Sequence, residues 1–147
     1  MNIDFSRMAK AVDDFASIST EEVIVQSGYT HYDYKYAKSF DFCTKDKMEE
    51  YIDRAELLIL QGGWGTISEA MSKSKRIVAM PRYNTIEHIH DQFQLIRKLD
   101  ALGCVVGVFD ENDLPQKVNE AYSFDFKQLP KGNAENIIRQ KLDEWFK

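Results

Sequence analysis

Short apolar runs alternate with amphipathic stretches along most of the chain. The run Leu57-Leu58-Ile59-Leu60 is apolar at every position, which is typical of a strand covered on both faces in a parallel sheet. Pro81 ends a second such run, because proline has no backbone N–H for a sheet ladder. The segments predicted as strands are Glu22–Gln26, Ser39–Cys43, Leu57–Leu60, Arg76–Met80 and Val105–Phe109.

Between these runs, apolar residues recur at intervals of three and four, which indicates helices with one buried face. Asp4 is placed to cap the first helix, whose apolar face starts at Phe5. Strands that alternate with helices predict an α/β fold, a mainly parallel sheet covered by helices on both faces. The other segments predicted as helices are Lys45–Ala55, Thr66–Lys73, Glu87–Leu102, Asp113–Tyr122 and Asn133–Phe146.

Composition narrows the kind of protein. The 147 residues fit one domain, residues 1–147, and a net charge of -5 argues against an electrostatic grip on nucleic acid. No apolar run approaches the roughly 20 residues that span a membrane, and the first residues lack the apolar core of a signal peptide. Cys43 and Cys104 have no metal-ligand spacing and lie in apolar segments, so we expect buried thiols in a reducing cytoplasm.

The segment Gln61-Gly62-Gly63-Trp64-Gly65-Thr66 connects the apolar strand to a helix and is the main candidate for a ligand site. In parallel sheets, ligands bind beyond the carboxyl ends of the strands. Glycines let a ligand approach the main chain closely, and a helix start offers unpaired amides and a partial positive charge that suit a diphosphate. No Gly-Lys-Ser/Thr follows, so the segment is not a Walker loop. A tight turn without any ligand is the alternative.

Glu69 has two compatible interpretations. Thr66-x-x-Glu69 matches a capping box, in which two side chains satisfy the amides at a helix start. Alternatively, the Glu69 carboxylate accepts hydrogen bonds from two ribose hydroxyls. The spacing by itself favours the cap.

Polar residues after the next strand are further candidates. His88, Asp91 and Gln92 share one face of a predicted helix, where they could bond sugar hydroxyls or simply face solvent. His88 and Asp91 lack a matching third residue for a metal site. Arg82 follows the end of a strand, so it could meet a phosphate or lie in solvent.

The loop after the first predicted strand is rich in tyrosine. Because tyrosine is enriched at protein interfaces, this loop could be a partner surface. A loop packed on its own sheet is an equally good interpretation. The residues concerned are Tyr29, Tyr32, Tyr34 and Tyr36.

The segment Met48–Asp110 resembles the glycosyltransferase family 28 C-terminal domain. It is most similar to the small stand-alone members, the Alg13-like and PssE/EpsE-like subunits of polysaccharide and lipid-linked sugar synthesis. The combination of motifs is specific, although no single motif is. The residues that carry the resemblance are Ala55-Glu56, Gly62-Gly63, Gly65-Thr66, Glu69-Ala70, Pro81-Arg82, Glu87-His88 and Asp91.

The resemblance implies a Rossmann-like, three-layer half of a GT-B glycosyltransferase that binds a UDP-sugar without a cofactor or metal. By position, the backbone of the glycine loop would face the diphosphate and Glu69 would hold the ribose. The implied nucleotide-binding residues are Gly62, Gly63, Trp64, Gly65, Thr66 and Glu69. The residues implied to contact the donor sugar are Arg82, Glu87, His88, Asp91 and Gln92.

Members of this small type invert the anomeric centre and act with a membrane-associated partner subunit that binds the acceptor. The sequence offers no obvious general base for an acceptor hydroxyl, so the catalytic base is expected on the partner. The resemblance therefore implies the donor-binding subunit of a hexosyl- or N-acetylhexosaminyltransferase in capsular polysaccharide, exopolysaccharide or lipid-linked oligosaccharide synthesis. Such a subunit would be cytoplasmic, held at the inner face of the membrane by its partner.

Three positions depart from the family pattern. Gln61 stands where relatives often have histidine, and Trp64 stands where a small residue is usual. Gln92-Phe93 replaces the His-Gln that commonly follows the aspartate here numbered Asp91. The second departure bears on the clearance of the loop, and the third bears on the sugar contacts.

Two other functions remain open. A nucleotide N-glycosidase of the cytokinin-activating (LOG) type carries Pro-Gly-Gly-x-Gly-Thr-x-x-Glu, and the segment from Gly62 to Glu69 matches all of it but the proline. That class would make Glu69 catalytic, but it leaves the residues from Pro81 to Asp91 unexplained. The second alternative is a nucleotide-sugar-binding subunit without transfer chemistry of its own.

Relatives of this size begin with an apolar strand, whereas this sequence begins at the helix near Phe5. In a doubly wound sheet, that strand would lie between Glu22–Gln26 and Leu57–Leu60. We therefore expect five parallel strands rather than six, with the gap closed by direct pairing of the two flanking strands or filled from another molecule. Exposed strand edges would also allow a homo-oligomer.

Overall fold

The computed structural model describes residues 4–82, 92–129, 139–141 and 143–144. Within them, strands and helices alternate as the hydrophobic pattern predicts. The strands are β1 (Ile24–Gln26), β2 (Lys38–Phe40), β3 (Leu57–Gln61), β4 (Arg76–Met80) and β5 (Val106–Gly107). The helices are α1 (Ser6–Ala16), α2 (Lys45–Arg54), α3 (Trp64–Ser72), α4 (Gln92–Ala101) and α5 (Leu114–Ser123), and a 3-10 turn at Glu111–Asp113 precedes α5.

The strands form two parallel sheets. β3, β4 and β5 lie side by side in that order, with Leu57 opposite Arg76 and Gln61 opposite Met80. β1 and β2 pair in a separate two-stranded sheet. Every pairing is parallel, which confirms the predicted α/β fold.

β4 lies at the centre of the core. Ile77 and Ala79 belong to an apolar cluster with α3 and α4, whereas Val78 and Met80 belong to a second cluster with α1 and α5. All four residues are completely buried. Helices therefore cover both faces of this sheet, and the predicted three-layer arrangement is confirmed.

β3 is less buried than its apolar sequence predicts. Its residues Leu57–Leu60 are all half-buried, whereas residues 77–80 of the equally long β4 are buried. β4 has a strand on each side, but β3 has only one neighbouring strand among the described residues. Leu58 and Leu60 nevertheless pack on one apolar cluster, and Leu57 and Ile59 pack on the other. The predicted coverage of both faces of β3 is therefore confirmed, and its lower burial reflects the lack of a second neighbouring strand among the described residues. The described residues contain the five parallel strands expected, but direct pairing of β1 with β3 is not observed among them.

Several boundaries differ from those predicted. β2 is shifted to Lys38–Phe40, and β5 contains only Val106–Gly107. α4 begins at Gln92 in the described part of the chain, so the first turn of the predicted helix Glu87–Leu102 lies outside it. The predicted helix Asn133–Phe146 also lies mostly outside the described residues.

Asp4 does not cap α1. The N-cap residue is Phe5, without a side-chain hydrogen bond to the first turn. The Asp4 carboxylate instead accepts hydrogen bonds from the Ser6 hydroxyl and from the backbone N–H of His31, 3.1 Å away. The predicted cap is wrong because a contact with a distant loop uses the same carboxylate.

A buried carboxylate on α1 holds the tyrosine-rich loop. Asp13 is 2% exposed and accepts hydrogen bonds from the backbone N–H groups of Lys35 (3.1 Å), Tyr36 (3.0 Å) and Ala37 (3.0 Å). Burial acts to raise the pKa of Asp13, but these bonds outweigh it, so the pKa lies below its usual value. Burial also raises the pKa of Tyr34 to about 12. The backbone at these positions is thus fixed to α1, whereas the side chains of Tyr29 and Tyr36 are exposed.

Candidate functional site

The candidate loops meet at one edge of the larger sheet. β3 and β4 are parallel and in register, with Gln61 opposite Met80, so both strands end at the same level. The chain leaves β3 through Gly62-Gly63 and leaves β4 through Pro81-Arg82. The register therefore brings together the glycine loop and Arg82, two features separated by about twenty positions in the sequence.

α3 begins directly after the two glycines. Gly63 is its N-cap, with φ -82° and ψ 131°, and contributes no side-chain hydrogen bond. The Ile67 N–H donates to the Gly63 carbonyl at 3.3 Å, which starts the helical ladder. The amides of Trp64, Gly65 and Thr66 precede that bond and have no partner within the helix. The start of α3 therefore presents hydrogen-bond donors and the positive end of a helix dipole.

The capping-box interpretation of Thr66 and Glu69 is wrong. Thr66 is the third residue of α3 rather than its N-cap, because the helix starts two residues earlier than predicted. Glu69 is exposed on the second turn, beyond the reach that a capping box requires. The structure therefore leaves Glu69 without a role at the helix start.

The three glycines have different surroundings. A Cβ on Gly62 would lie 2.9 Å from both Cβ and Oε1 of Gln92, so this glycine is required by close packing. A Cβ on Gly63 or on Gly65 would meet no atom within 4 Å among the described residues. Packing therefore explains Gly62 but not Gly63 or Gly65, and no described residue covers the surface at these two positions.

The large side chain of Trp64 is accommodated by the domain itself. Trp64 is half-buried and packs against the apolar cluster that contains Ile67 of α3 and Ile96 of α4. An aromatic residue at this position therefore contributes to the core while the neighbouring Gly63 and Gly65 remain open.

Arg82 is held at the site by contacts from several elements. Its Nε donates to Oε1 of Gln61 at 2.5 Å, which links the ends of β4 and β3. Its guanidinium lies over the ring of Phe5, with 4.6 Å between Cζ and the ring centroid. Such a stacked cation–π arrangement restrains the guanidinium. These contacts argue against the alternative interpretation that the Arg82 side chain simply lies in solvent.

The N-terminal turn of α1 supports the same edge. Arg7 also lies over the Phe5 ring, at 5.1 Å from its centroid, and its Nη2 donates to the carbonyl of Pro81 at 2.9 Å. An ion pair of 3.4 Å joins Arg7 to Glu111. The sequence does not identify Phe5 and Arg7 as site residues, because nothing local connects them with strand ends that are distant in the chain.

Gln92 is buried rather than open to the site surface. Its side chain is near the start of the described part of α4, and its Oε1 accepts a hydrogen bond from the backbone N–H of Arg82 at 3.0 Å. The remaining residues predicted to contact a sugar, Glu87, His88 and Asp91, lie outside the described residues. Their roles stay predictions.

The described residues contain no group of three or more His, Cys, Asp or Glu side chains that could hold a metal ion. No helix among them is both long and apolar enough to cross a membrane. What the edge does offer is backbone N–H donors at a helix start and a fixed guanidinium nearby. That combination is suited to binding phosphate groups.

The sequence matches a known protein family. A model of the glycosyltransferase family 28 C-terminal domain matches residues 4–143. No curated protein and no solved structure matches the chain.

Proposed function

The chain belongs to the glycosyltransferase family 28 C-terminal domain family, and on that premise we propose that it binds the UDP-sugar donor of a two-component glycosyltransferase. Membership of the family makes it a glycosyltransferase domain with a nucleotide-sugar-binding role. The choice of UDP, the donor sugar and the need for a partner are the parts that we propose.

The open start of α3 is the observation that carries the proposal. Trp64, Gly65 and Thr66 direct amides that have no partner within the helix toward a surface kept clear at Gly63 and Gly65. A diphosphate satisfies such amides and is attracted by the helix dipole. Arg82, restrained by Gln61 and Phe5, adds positive charge at the same edge.

The rest of the donor is assigned by position. Glu69 holds the ribose, since its carboxylate is exposed on α3 and has no capping role. The sugar lies toward the residues that follow β4. Those assigned to it are Arg82, Glu87, His88 and Asp91, whereas Gln92 is buried beneath the site surface.

Titration calorimetry tests the nucleotide. We expect UDP and UDP-N-acetylglucosamine to bind with Kd values of about 1 μM to 1 mM, the usual range for substrate sites. Binding of AMP without binding of UDP would instead favour a nucleotide N-glycosidase of the LOG type. Equal binding of all three compounds would show a general phosphate site and would contradict a uridine-specific one.

Glu69→Gln tests the ribose contact. Because Glu69 does not cap α3, this change should leave the melting temperature unchanged, while UDP affinity should fall by roughly 1–3 kcal/mol on loss of a charged hydrogen-bond acceptor. Glu120→Gln, on the exposed side of α5, is the matched control and should leave UDP affinity unchanged. Wild-type affinity in Glu69→Gln would remove Glu69 from the site.

We propose that a membrane-associated subunit supplies the acceptor and the catalytic base. The transfer is inverting and belongs to capsular polysaccharide, exopolysaccharide or lipid-linked oligosaccharide synthesis, at the inner face of the membrane. The support is the resemblance to small family members that work in this way. The purified chain should transfer no hexosyl or N-acetylhexosaminyl group alone and should do so once the partner-containing membranes are added. Efficient transfer to a soluble acceptor by the chain alone would contradict this division of labour.

The outer edge of β3 is proposed as a second contact surface. Leu57–Leu60 carry neither a charge nor a proline, the residues that usually prevent an edge strand from pairing with other chains. Pairing there would produce a homo-oligomer. Light scattering at rising concentration should show association, and hydrogen exchange of the β3 amides should slow in parallel. A chain that remains monomeric at every concentration would contradict it.

A further inference from the structure

Gln92 is one of two polar or charged residues that are buried in the described part of the chain, at 5% exposure. A buried amide costs free energy unless it is hydrogen-bonded, so such a side chain usually has a specific task. The other buried residue, Asp13, fixes the loop before β2. Gln92 lies instead beneath the candidate nucleotide site.

The Gln92 side chain contacts the chain where both β3 and β4 end. Its Oε1 accepts the Arg82 backbone N–H at 3.0 Å, which holds the chain just after β4. The same oxygen and the Gln92 Cβ lie 2.9 Å from where a Cβ on Gly62 would be, so the side chain is packed directly against the turn after β3. One residue thereby sets the separation between the glycine turn and the end of β4.

We propose that Gln92 is a positioning residue of the nucleotide site. It supports Gly62 from below and so determines where the uncapped first turn of α3 stands relative to Arg82. This inference rests on the proposed function and replaces a direct sugar contact with an indirect role. A ligand held by backbone amides depends on their position, because hydrogen bonds weaken steeply with distance and angle.

Gln92→Met tests the proposal, because methionine is similar in length but cannot accept the Arg82 N–H. If Gln92 positions the turn, affinities for UDP and for UDP-N-acetylglucosamine should both fall, by the same factor of about ten or more. If Gln92 touched the sugar, the affinity for UDP-N-acetylglucosamine would fall while that for UDP stayed the same. That second pattern, or UDP affinity within about twofold of wild type in the folded variant, overturns the proposal.

Leu99→Ala provides the control for stability. Leu99 is completely buried in the apolar core two turns further along α4 than Gln92, so its truncation should lower the melting temperature with little change in UDP affinity. An equal loss of UDP affinity in Leu99→Ala would show that general destabilisation is the cause and would overturn the proposal.

Gly62→Ala adds a second measurement. It should weaken UDP binding through a clash with Gln92, and the loss in the double variant with Gln92→Met should differ from the sum of the two single losses, because both changes act on one contact. Additive losses would count against the proposal. If the wild-type chain binds AMP and not UDP, the proposed function fails, but the same variants measured with AMP still decide the role of Gln92.

Discussion

The two sheets of this domain are stabilised by different interactions. In the larger sheet, residues 77–80 of β4 are buried from both faces by α1, α3, α4 and α5. In the smaller sheet, β1 and β2 have three residues each, and Ile24 is 37% exposed. Apolar burial therefore stabilises the larger sheet, whereas the smaller sheet contributes only partly buried residues, such as Val25, to the apolar core.

Polar contacts compensate in the smaller sheet. Asp13 of α1 binds three backbone N–H groups of the loop that leads into β2. The Ser27 hydroxyl donates to the Phe40 carbonyl at 3.2 Å, and Phe40 stacks on Tyr51 with ring centroids 5.1 Å apart. Since hydrogen bonds depend on a few specific atoms whereas burial is spread over many, the two halves should respond differently to substitution and to pH.

Truncation of isoleucine is expected to give the largest difference. Ile77→Ala should lower the free energy of unfolding by about 2–5 kcal/mol, since it leaves a cavity in a fully packed core. Ile24→Ala should cost under about 1 kcal/mol, because its side chain is already partly in water. Urea denaturation measures both. Similar losses would mean that the smaller sheet is packed as tightly as the larger one.

Asp13→Ala should lower the free energy of unfolding about as much as truncation of a buried apolar side chain does. Removal of the carboxylate leaves three backbone N–H groups without their acceptor, at a cost of roughly 2–4 kcal/mol. Asp14→Ala is the matched control, since Asp14 is exposed and forms a surface ion pair with Lys10; its cost should be much smaller than that of Asp13→Ala. Equal effects of the two variants would show that the Asp13 bonds add little.

The same residue predicts a dependence on pH. The pKa of Asp13 is lower in the folded protein than in the unfolded chain, so its ionised form stabilises the fold above the unfolded pKa. This stabilisation should be lost as the pH falls through the folded pKa, below the ordinary value of about 3.9. In Asp13→Ala, the free energy of unfolding should therefore fall less steeply in acid than in wild type. Parallel curves would rule out this contribution.

Two alanine substitutions in the glycine loop beside the larger sheet, Gly65→Ala and Gly62→Ala, should change stability in opposite directions although both weaken ligand binding. Gly65→Ala should raise stability by roughly 0.5–1 kcal/mol, because glycine in a helix costs conformational entropy and no described atom opposes a Cβ there. It should nevertheless weaken UDP binding by covering the open surface. Gly62→Ala should lower stability, because its Cβ would meet Gln92. Unfolding and calorimetry of the two variants give the comparison.

The smallest expected difference between the two halves is in the reactivity of their two cysteine thiols. Cys104 is 2% exposed in the larger core, where burial raises its pKa, while Cys43 follows β2 and is half-buried. A thiolate-specific reagent should modify Cys43 in the native protein and reach Cys104 only on unfolding. Cys43→Ser should abolish the native reaction. Rapid modification of both thiols would show that the larger core opens readily.

Local sequence determined the elements that depend on neighbouring residues. The 3.6-residue and continuous apolar patterns predicted α2 and β4 almost to the residue, and the glycine loop between β3 and α3 was recognised because glycine, strand and helix are adjacent in the chain. The parallel α/β class followed from the same alternation, since parallel strands require crossover connections.

Tertiary structure alone decided which strands lie in the middle and which residues support the site. The apolar run Leu57–Leu60 indicates that both faces of the strand are covered, but it does not determine how many strands lie beside it, and β3 has only one such neighbour in the described part of the chain. Asp4 and Asp13 are both acidic residues of the α1 region, and only the fold sends each to a distant loop. The contact between Gln92 and Gly62 is likewise determined by the tertiary structure. These residues are thirty positions apart in the sequence, and the packing of α4 on the sheet brings them together.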